Sequence, residues 1–277
     1  MSEVMVDGCK IWYEVAGEGE TMLHIGGAGF GHENFNSVRD EMQKHFSVVE
    51  FDLRGYGLSD RPEQHYDFDV WADDIAALLH DAGIESTHVH GSSMGGMVAI
   101  KLAAKYPELV NCLVVSCTSA KSDAMAKARW RVWRELGKAY GTDSLILAEE
   151  ICTQALTRKF LDGPRGEEVV GVIQGVLTRN APVFTFGAAS DAMIEMDLGE
   201  DLTRIKAPTM VVGGDEDILT PLEAGPQGIG GIAIAEAIED SELNVMRGIA
   251  HTNMLEEPER SVADIVDFVR RTAPVAA

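Results

Sequence analysis

The beginning of the chain contains two short runs rich in β-branched and aromatic residues. These runs, residues 4–6 and 11–15, flank the dipeptide Asp7-Gly8. Asp-Gly is typical of two-residue hairpin turns, because both positions tolerate positive φ angles. The pattern therefore predicts that the chain opens with an antiparallel pair of strands.

After this hairpin, short apolar runs alternate with segments of helical periodicity. In residues 70–82, for example, Val70, Ile75, Leu78 and Leu79 fall on or near one face of a helix. Further strands are predicted at residues 21–25, 47–53, 87–90, 111–117, 209–213 and 243–246. Further helices are predicted at residues 95–106, 222–239 and 258–271. Strands that alternate with helices build a mostly parallel sheet with helices on both faces.

One stretch, residues 120–205, departs from this alternation. Helix-forming residues dominate it, and strand-like runs vanish. Candidate helices lie near residues 122–140, 144–156, 167–178 and 182–196. We therefore predict an α/β core formed by residues 1–119 and 206–277, interrupted by a helical insertion. A chain of 277 residues, 45% of them hydrophobic, is long enough to bury such a core.

The net charge of the chain limits the kinds of partner that we expect it to bind. The formal net charge is −22 and the calculated pI is 4.6. Nucleic acids and anionic membranes attract basic patches, so we expect neither as a partner, and we interpret the acidic excess as a well-solvated surface. The sequence also shows no secretory signal and no apolar run of membrane-spanning length, which favours a soluble cytoplasmic protein.

The cysteines indicate neither a metal site nor a disulfide framework. Cys9, Cys112, Cys117 and Cys152 have no CxxC spacing and no histidine-rich neighbourhood. They are typical of buried thiols in a reducing compartment. No cluster of His, Cys and Asp has the spacing of metal ligands, and we expect neither a metal nor another cofactor.

The stretch HGSSMGG, residues 90–96, is the first candidate for chemistry. Gly91 to Gly95 fits G-x-S-x-G with Ser93 at the centre, after a predicted strand and at the start of a predicted helix. That context is the one in which this motif forms a strained turn with an exposed serine hydroxyl. On this motif alone an ordinary tight turn remains an equal alternative, and Ser92 would be the variable position.

A serine nucleophile needs a base, and the base needs an acid to orient it. In an α/β sheet both should follow strand ends, because active sites lie at the carboxyl edge of the strands. The strand at 209–213 is followed by a loop with three carboxylates, Asp215, Glu216 and Asp217. The strand at 243–246 is followed by His251, the one histidine in the position that a base requires.

Several motifs accompany these residues in a fixed order along the chain. They are Gly17-Glu18-Gly19, Gly26-Gly27-Ala28, DLRGYGLSD at residues 52–60, G-x-x-D-x-x-x-P from Gly214 to Pro221, and G-x-x-H ending at His251. Together with the turn around Ser93, this order closely resembles the α/β-hydrolase family over nearly the whole chain.

The resemblance implies the α/β-hydrolase fold, a mostly parallel eight-stranded sheet flanked by helices, with residues 120–205 as a helical cap over the nucleophile. It implies hydrolysis by a triad of Ser93, His251 and Asp217, with Asp215 as the less favoured acid. It also implies an oxyanion hole formed by the N–H groups of Met94 and Ala28. Gly27 is the alternative to Ala28, because a glycine stands here where the family usually has histidine.

The first helix of the insertion carries Trp130 and Trp133 together with Arg129, Arg131 and Arg134. One interpretation is that the tryptophans form a wall of the substrate site and an arginine binds a substrate carboxylate. The other is that the tryptophans pack in the core and the arginines are solvated. For any single arginine we favour the second.

Taken together, these residues predict a serine hydrolase that cleaves a carboxylic ester or lactone of a small molecule, resembling 3-oxoadipate enol-lactonases and small carboxylesterases. The alternative is a hydrolase of carbon–carbon bonds in ring-cleavage diketones, which uses the same triad. A ligand receptor that kept the triad is a third and less favoured interpretation. The sequence leaves the oligomeric state open, and a homo-oligomer is compatible with it.

Overall fold

A computed structural model describes residues 2–273, and its centre is one eight-stranded sheet. The strands are β1 (Ser2–Val6), β2 (Cys9–Ala16), β3 (Thr21–Ile25), β4 (Ser47–Phe51), β5 (Thr87–Ser92), β6 (Val110–Ser116), β7 (Thr209–Gly214) and β8 (Ser241–Met246). They lie in the order β1-β2-β4-β3-β5-β6-β7-β8. Only the β1–β2 and β2–β4 pairs are antiparallel among these described strands. The predicted mostly parallel eight-stranded sheet is therefore confirmed.

The opening hairpin forms as the dipeptide predicts. Val6 pairs with Cys9, so that Asp7 and Gly8 form a two-residue turn. Both turn residues have positive φ, 50° and 76°. This is the backbone that such a turn demands, and Asp and Gly adopt it with little strain.

Helices fill the connections between the strands. They are α1 (Arg39–Met42), α2 (Phe68–Asp81), α3 (Met94–Lys105), α4 (Ala124–Tyr140), α5 (Leu145–Ala155), α6 (Arg158–Leu161), α7 (Gly166–Asn180), α8 (Val183–Glu195), α9 (Gly199–Leu202), α10 (Gly231–Ala237), α11 (Asn253–Glu256) and α12 (Pro258–Thr272). Two 3-10 turns, Gly31–Phe35 and Pro107–Leu109, complete the described elements.

The sheet separates two hydrophobic cores. Successive strand residues point to opposite faces, so that Leu113 and Val115 of β6 join the core that contains α2 and α3. Cys112 and Val114 of the same strand join the core that contains α12. This placement of helices on both faces confirms the layered α/β arrangement expected from the sequence.

Between β6 and β7 the chain is almost entirely helical. The helices predicted near residues 122–140, 144–156, 167–178 and 182–196 correspond to α4, α5, α7 and α8, each within two residues at both ends. The insertion packs onto the same core as α2 and α3. The ends of the predicted α/β core, residue 1 and residues 274–277, lie outside the described residues.

More than half of one predicted helix is not helical in the structure. Residues 222–239 were expected to be helical, but α10 covers only Gly231–Ala237. The preceding residues pair with the chain as it enters the insertion: the N–H of Ile229 donates to the carbonyl of Lys121 at 3.0 Å, and that of Ala120 donates to Ile229 at 2.9 Å. These backbone bonds, in a segment rich in glycine, replace the first turns of the helix.

Two further features of the structure concern its cysteines and the character of its helices. All four cysteines are buried and free, as the sequence predicted. Within residues 2–273, none of the helices has the length and apolar character needed to cross a membrane.

Candidate active site

Strand β5 and helix α3 meet at a sharp turn that carries Ser93. Its φ of 56° and ψ of −121° form a backbone conformation that residues other than glycine rarely adopt. A Cβ at Gly95 would overlap the carbonyl oxygen of Ile25, and one at Gly91 would overlap that of Gly95. Both flanking positions must therefore be glycine for the strand and helix backbones to approach so closely.

Hydrogen bonds from β6 and the loop after it hold this turn. The N–H of Ser93 donates to the carbonyl of Ser116 at 2.9 Å, and the Thr118 hydroxyl donates to the carbonyl of Ser93 at 2.7 Å. Ser92, the residue before, is the last residue of β5 and is buried. Of the two adjacent serines, Ser93 therefore occupies the crest of the turn.

Ser93, Asp217 and His251 come together from three strand ends. Ser93 Oγ lies 2.9 Å from His251 Nε2, and His251 Nδ1 lies 2.9 Å from Asp217 Oδ2. Because Nδ1 faces a carboxylate, the proton of a neutral imidazole belongs there, which leaves Nε2 to accept from the serine hydroxyl. The geometry can therefore transfer a proton from Ser93 to His251.

Asp217 is held in its charged form. It is 5% exposed and accepts hydrogen bonds from the N–H groups of Leu219 and Thr220, at 2.8 and 3.1 Å, and from the Thr220 hydroxyl at 2.9 Å. Burial alone would raise the pKa of Asp217, but the adjacent His251 and these donors outweigh burial and lower it. A carboxylate that stays charged can stabilise the imidazolium that forms during proton transfer.

Asp215, the alternative acid, faces elsewhere. Its Oδ1 accepts from the N–H of Gly248 at 2.6 Å, and its Oδ2 lies 3.4 Å from the guanidinium of Arg247. These contacts fix the start of the loop that leads to His251. The structure thus brings Asp217, and not Asp215, to the imidazole.

The loop after β3 lies directly beside Ser93. A Cβ at Gly27 would sit only 3.3 Å from Ser93 Cβ, so glycine allows this approach. The N–H of Gly27 donates to Asn34 Oδ1 at 3.2 Å. Among the described residues we find no acceptor for the N–H of Ala28 or of Met94, the first residue of α3. These two N–H groups are free to receive an anion, whereas that of Gly27 is engaged.

A cavity of about 170 Å³ opens at Ser93 and His251. Trp130 and Trp133 of α4 line it, and each is also packed in the core, 1% and 6% exposed. Their rings contact each other edge to face, with centroids 4.9 Å apart. Both interpretations of these tryptophans therefore hold in part, since they are core residues with one surface on the cavity.

The arginines of α4 do not line this cavity. Arg134 pairs with Asp191 of α8 and with Glu135. Arg129 donates to the carbonyl of Ile218, and Arg131 is exposed. The structure therefore places none of the three where it could bind a substrate beside Ser93.

Sequence reasoning missed two residues near the triad. Thr220 donates to Asp217, and its hydroxyl oxygen also lies 3.2 Å from His251 Nδ1. Glu256 accepts from the N–H of Ala250, next to His251, at 3.1 Å. Thr220 had a signal, because it lies within the G-x-x-D-x-x-x-P motif, but Glu256 had none that distinguishes it from neighbouring acidic residues.

Among residues 2–273, no group of three or more His, Cys, Asp or Glu side chains is arranged to hold a metal ion.

Comparison with known proteins agrees with this fold. A family model described as alpha/beta hydrolase fold matches residues 22–141. The chain is 29% identical to 3-oxoadipate enol-lactonase 2 of Acinetobacter baylyi, over 78% of this chain and 76% of that protein. It is 25% identical to 2-hydroxymuconate semialdehyde hydrolase of a Pseudomonas species, over 96% of this chain and 93% of that protein.

Among solved structures, a thermophilic esterase from Thermogutta terrifontis superimposes with a TM-score of 0.85. It is 26% identical, and the superposition covers 99% of this chain and all of the esterase. The superposition thus extends over both the core and the helical insertion of this chain.

Proposed function

This chain has the α/β-hydrolase fold, and from that premise we propose that it is a serine hydrolase that cleaves a carboxylic ester or lactone of a small molecule. The observation that carries the proposal is the unbroken path from Ser93 through His251 to Asp217, with both contacts at 2.9 Å. The similarity to an enol-lactonase and to an esterase supports the same class of reaction.

In the proposed mechanism, Ser93 Oγ attacks the carbonyl carbon while its proton passes to His251 Nε2. Asp217 accepts the hydrogen bond from Nδ1 and stabilises the imidazolium. The N–H groups of Ala28 and Met94 stabilise the oxyanion of the tetrahedral intermediate. His251 then protonates the leaving alcohol, the acyl group stays on Ser93, and a water molecule activated by His251 releases the acid.

We assign residues 120–205 the role of a cap over this site. The support is that α4, α5, α7 and α8 each contribute side chains to the cavity that contains Ser93. The partner proposed for the protein is a small-molecule substrate, and the acidic surface argues against nucleic acids and anionic membranes.

A carbon–carbon bond hydrolase remains the second candidate, because one similar protein is named as a 2-hydroxymuconate semialdehyde hydrolase. The deciding experiment assays aryl esters, lactones and vinylogous diketones side by side, with Ser93→Ala as the blank. Turnover of esters or lactones with no diketone cleavage supports the proposal. Diketone cleavage with inert esters would replace it by the second candidate.

A further inference from the structure

The cavity at Ser93 has a strongly apolar wall. From the insertion come Trp130, Trp133, Ile173 and Met193, and from the core come Leu219 and Met254. All six are buried, 6% exposed or less. A dry cavity of roughly 150 Å³ lined in this way accepts a benzene-sized group, which makes the observed volume of about 170 Å³ suited to a short apolar acyl group.

Charged side chains lie only at the margin of this cavity. Apart from His251, the charged residues among its described lining are Glu33, Arg165 and Glu168. Arg165 and Glu168 are exposed, and the Arg165 guanidinium lies 5.6 Å from the centre of the Phe160 ring. Glu33 pairs with a residue outside the cavity, Arg179, at 2.7 Å. Within the described lining, no arginine or lysine is therefore buried beside Ser93.

This charge distribution has a consequence for substrates. A carboxylate that enters the cavity loses its water, and no cation replaces it, so that its transfer is strongly unfavourable. The net charge of −22 opposes the approach of an anion further.

Building on the proposed function, we propose that this site selects uncharged esters or lactones with a short apolar acyl group, and rejects substrates that carry a carboxylate in that group. The proposal depends on ester hydrolysis at Ser93. It adds the charge and polarity of the acyl part, which the triad alone does not determine.

The test compares three p-nitrophenyl esters with the same leaving group: the butyrate, the hemisuccinate and the methyl ester of the hemisuccinate. The hemisuccinate replaces the terminal methyl of butyrate by a carboxylate, and its methyl ester restores neutrality at larger size. Rates are corrected for spontaneous hydrolysis, which a neighbouring carboxylate accelerates.

We expect kcat/KM for the butyrate to exceed that for the hemisuccinate by roughly 100-fold, with the methyl ester much closer to the butyrate. Equal rates for butyrate and hemisuccinate would overturn the inference and leave the proposed function intact. If no ester is hydrolysed and Ser93 does not react with a phosphonate, the proposed function itself fails.

The variant Arg165→Gln tests the alternative explanation, in which Arg165, at the edge of the cavity, binds a substrate carboxylate. We expect this variant to leave the ratio of butyrate to hemisuccinate within about threefold of the parent, since an exposed and screened charge contributes little. If Arg165→Gln instead lowers hemisuccinate turnover tenfold and spares butyrate, Arg165 is an anion receptor and the inference is wrong.

A second and independent observation concerns the contact between the insertion and the loop that carries His251. The N–H of His251 donates to the carbonyl of Ala155, at the end of α5, at 3.0 Å. Glu256 joins the same two segments: its Oε1 accepts from the N–H of Ala250, and its Oε2 accepts from the N–H of Thr157 at 3.3 Å and from the Thr157 hydroxyl.

Glu256 is satisfied by hydrogen bonds alone. It is partly buried, and burial raises the pKa of Glu256 by more than the bonds from Thr157, Ala250 and Thr252 lower it. Among the ion pairs of the described residues, none involves Glu256. Its carboxylate therefore serves as an acceptor between two pieces of backbone, one in the insertion and one in the loop that carries His251.

From these contacts we infer that Glu256 and Thr157 are positioning residues for His251. Their hydrogen bonds connect the loop that carries His251 to the insertion and so fix the position of the imidazole. The insertion then takes part in the reaction as a support for the base. A glutamine at position 256 has one oxygen and one NH2, so it must present the NH2 to the N–H of either Ala250 or Thr157. The link is thereby broken on one side without a change of shape.

Glu256→Gln is compared with Glu257→Gln, because the adjacent Glu257 side chain is exposed and makes no hydrogen bond to the residues that the structure describes. We expect Glu256→Gln to lower kcat and the rate of Ser93 phosphonylation together by about tenfold, with KM nearly unchanged, because a small displacement of a catalytic group is costly. Glu257→Gln should keep parental values. Equal kcat in the two variants would contradict the assignment.

If Glu256→Gln does not fold, variants of Thr157 provide a second test. Thr157→Val removes the hydroxyl at nearly constant size, whereas Thr157→Ser keeps it. The Thr157 hydroxyl also accepts from the N–H of Phe160 at 3.2 Å as the cap of α6, so a fall in kcat for the valine variant at unchanged thermal stability, with rescue by serine, supports the positioning role. Parental kcat in both variants would overturn it.

Discussion

The strand-end loops and the helical insertion meet at one cavity, but they are built in different ways. In the loops, Ser93, Asp217 and His251 are each fixed by hydrogen bonds to backbone groups. The insertion contributes mainly apolar side chains, and its residues 120–205 contain no histidine. The difference teaches that the three reacting side chains come from the loops, whereas the insertion lines the cavity with apolar side chains and supports the loop of His251 through the carbonyl of Ala155.

The largest expected effect separates the two carboxylates of the loop after β7. Asp217→Asn should lower kcat by on the order of 10⁴, because the amide favours the wrong tautomer of His251. Asp215→Asn should lower it severalfold at most, since that carboxylate contacts Gly248 and Arg247. Steady-state kinetics with matched circular dichroism spectra check both. If Asp215→Asn is the more damaging change, the assigned acid is wrong.

The next largest expected effect is a difference in stability between alanine substitutions at two glycines. Gly95→Ala should destabilise the protein by about 3 kcal/mol or more, because the methyl group would overlap the carbonyl of Ile25. Gly171→Ala in α7, where no atom lies within 4 Å of the added methyl, should stabilise by about 0.5–1 kcal/mol. Denaturant unfolding of both variants measures this. Similar tolerance at both positions would contradict the close backbone approach at Gly95.

Acid should destabilise the protein through a buried histidine of the sheet. Burial lowers the pKa of His90, in β5, to about 3, while the unfolded chain titrates near 6.5. The unfolded state therefore binds the extra proton between these values, and stability falls as pH drops below 6.5, by about 1.4 kcal/mol per pH unit.

His90→Gln should reduce this slope, to which His24 and His88 also contribute because burial lowers the pKa of each, and His65→Gln, an exposed position, should leave it unchanged. The measurement is the free energy of unfolding at pH 7 and pH 5. An unchanged slope in His90→Gln would show that another group carries the acid sensitivity.

A smaller effect concerns specificity. In at least one of the variants Trp130→Ala and Trp133→Ala, the ratio of kcat/KM for a bulky ester to that for an acetyl ester should shift by roughly 10-fold. This is the effect expected from the loss of one or two apolar contacts. Turnover of the two esters is measured beside thermal stability. Loss of stability with an unchanged ratio would make both tryptophans purely structural.

The two regions also differ in how far the sequence predicts them. Ser93, Asp217 and His251 follow strand ends in a parallel sheet, so their convergence could be predicted from the order of strands and motifs. The link between Thr157 and Glu256 could not, because the partners are 99 residues apart and neither belongs to a recognisable pattern. The same limit explains the wrong helix at 222–239, whose start is replaced by bonds to Ala120 and Lys121.

The central claim is that Ser93 is the nucleophile, and covalent labelling with a fluorophosphonate tests it most directly. The parent protein, Ser93→Ala and Ser92→Ala are treated alike, and the modified peptide is identified by mass spectrometry. We predict a single adduct on Ser93 in the parent and in Ser92→Ala, and none in Ser93→Ala. An adduct that persists in Ser93→Ala and vanishes in Ser92→Ala would contradict the account.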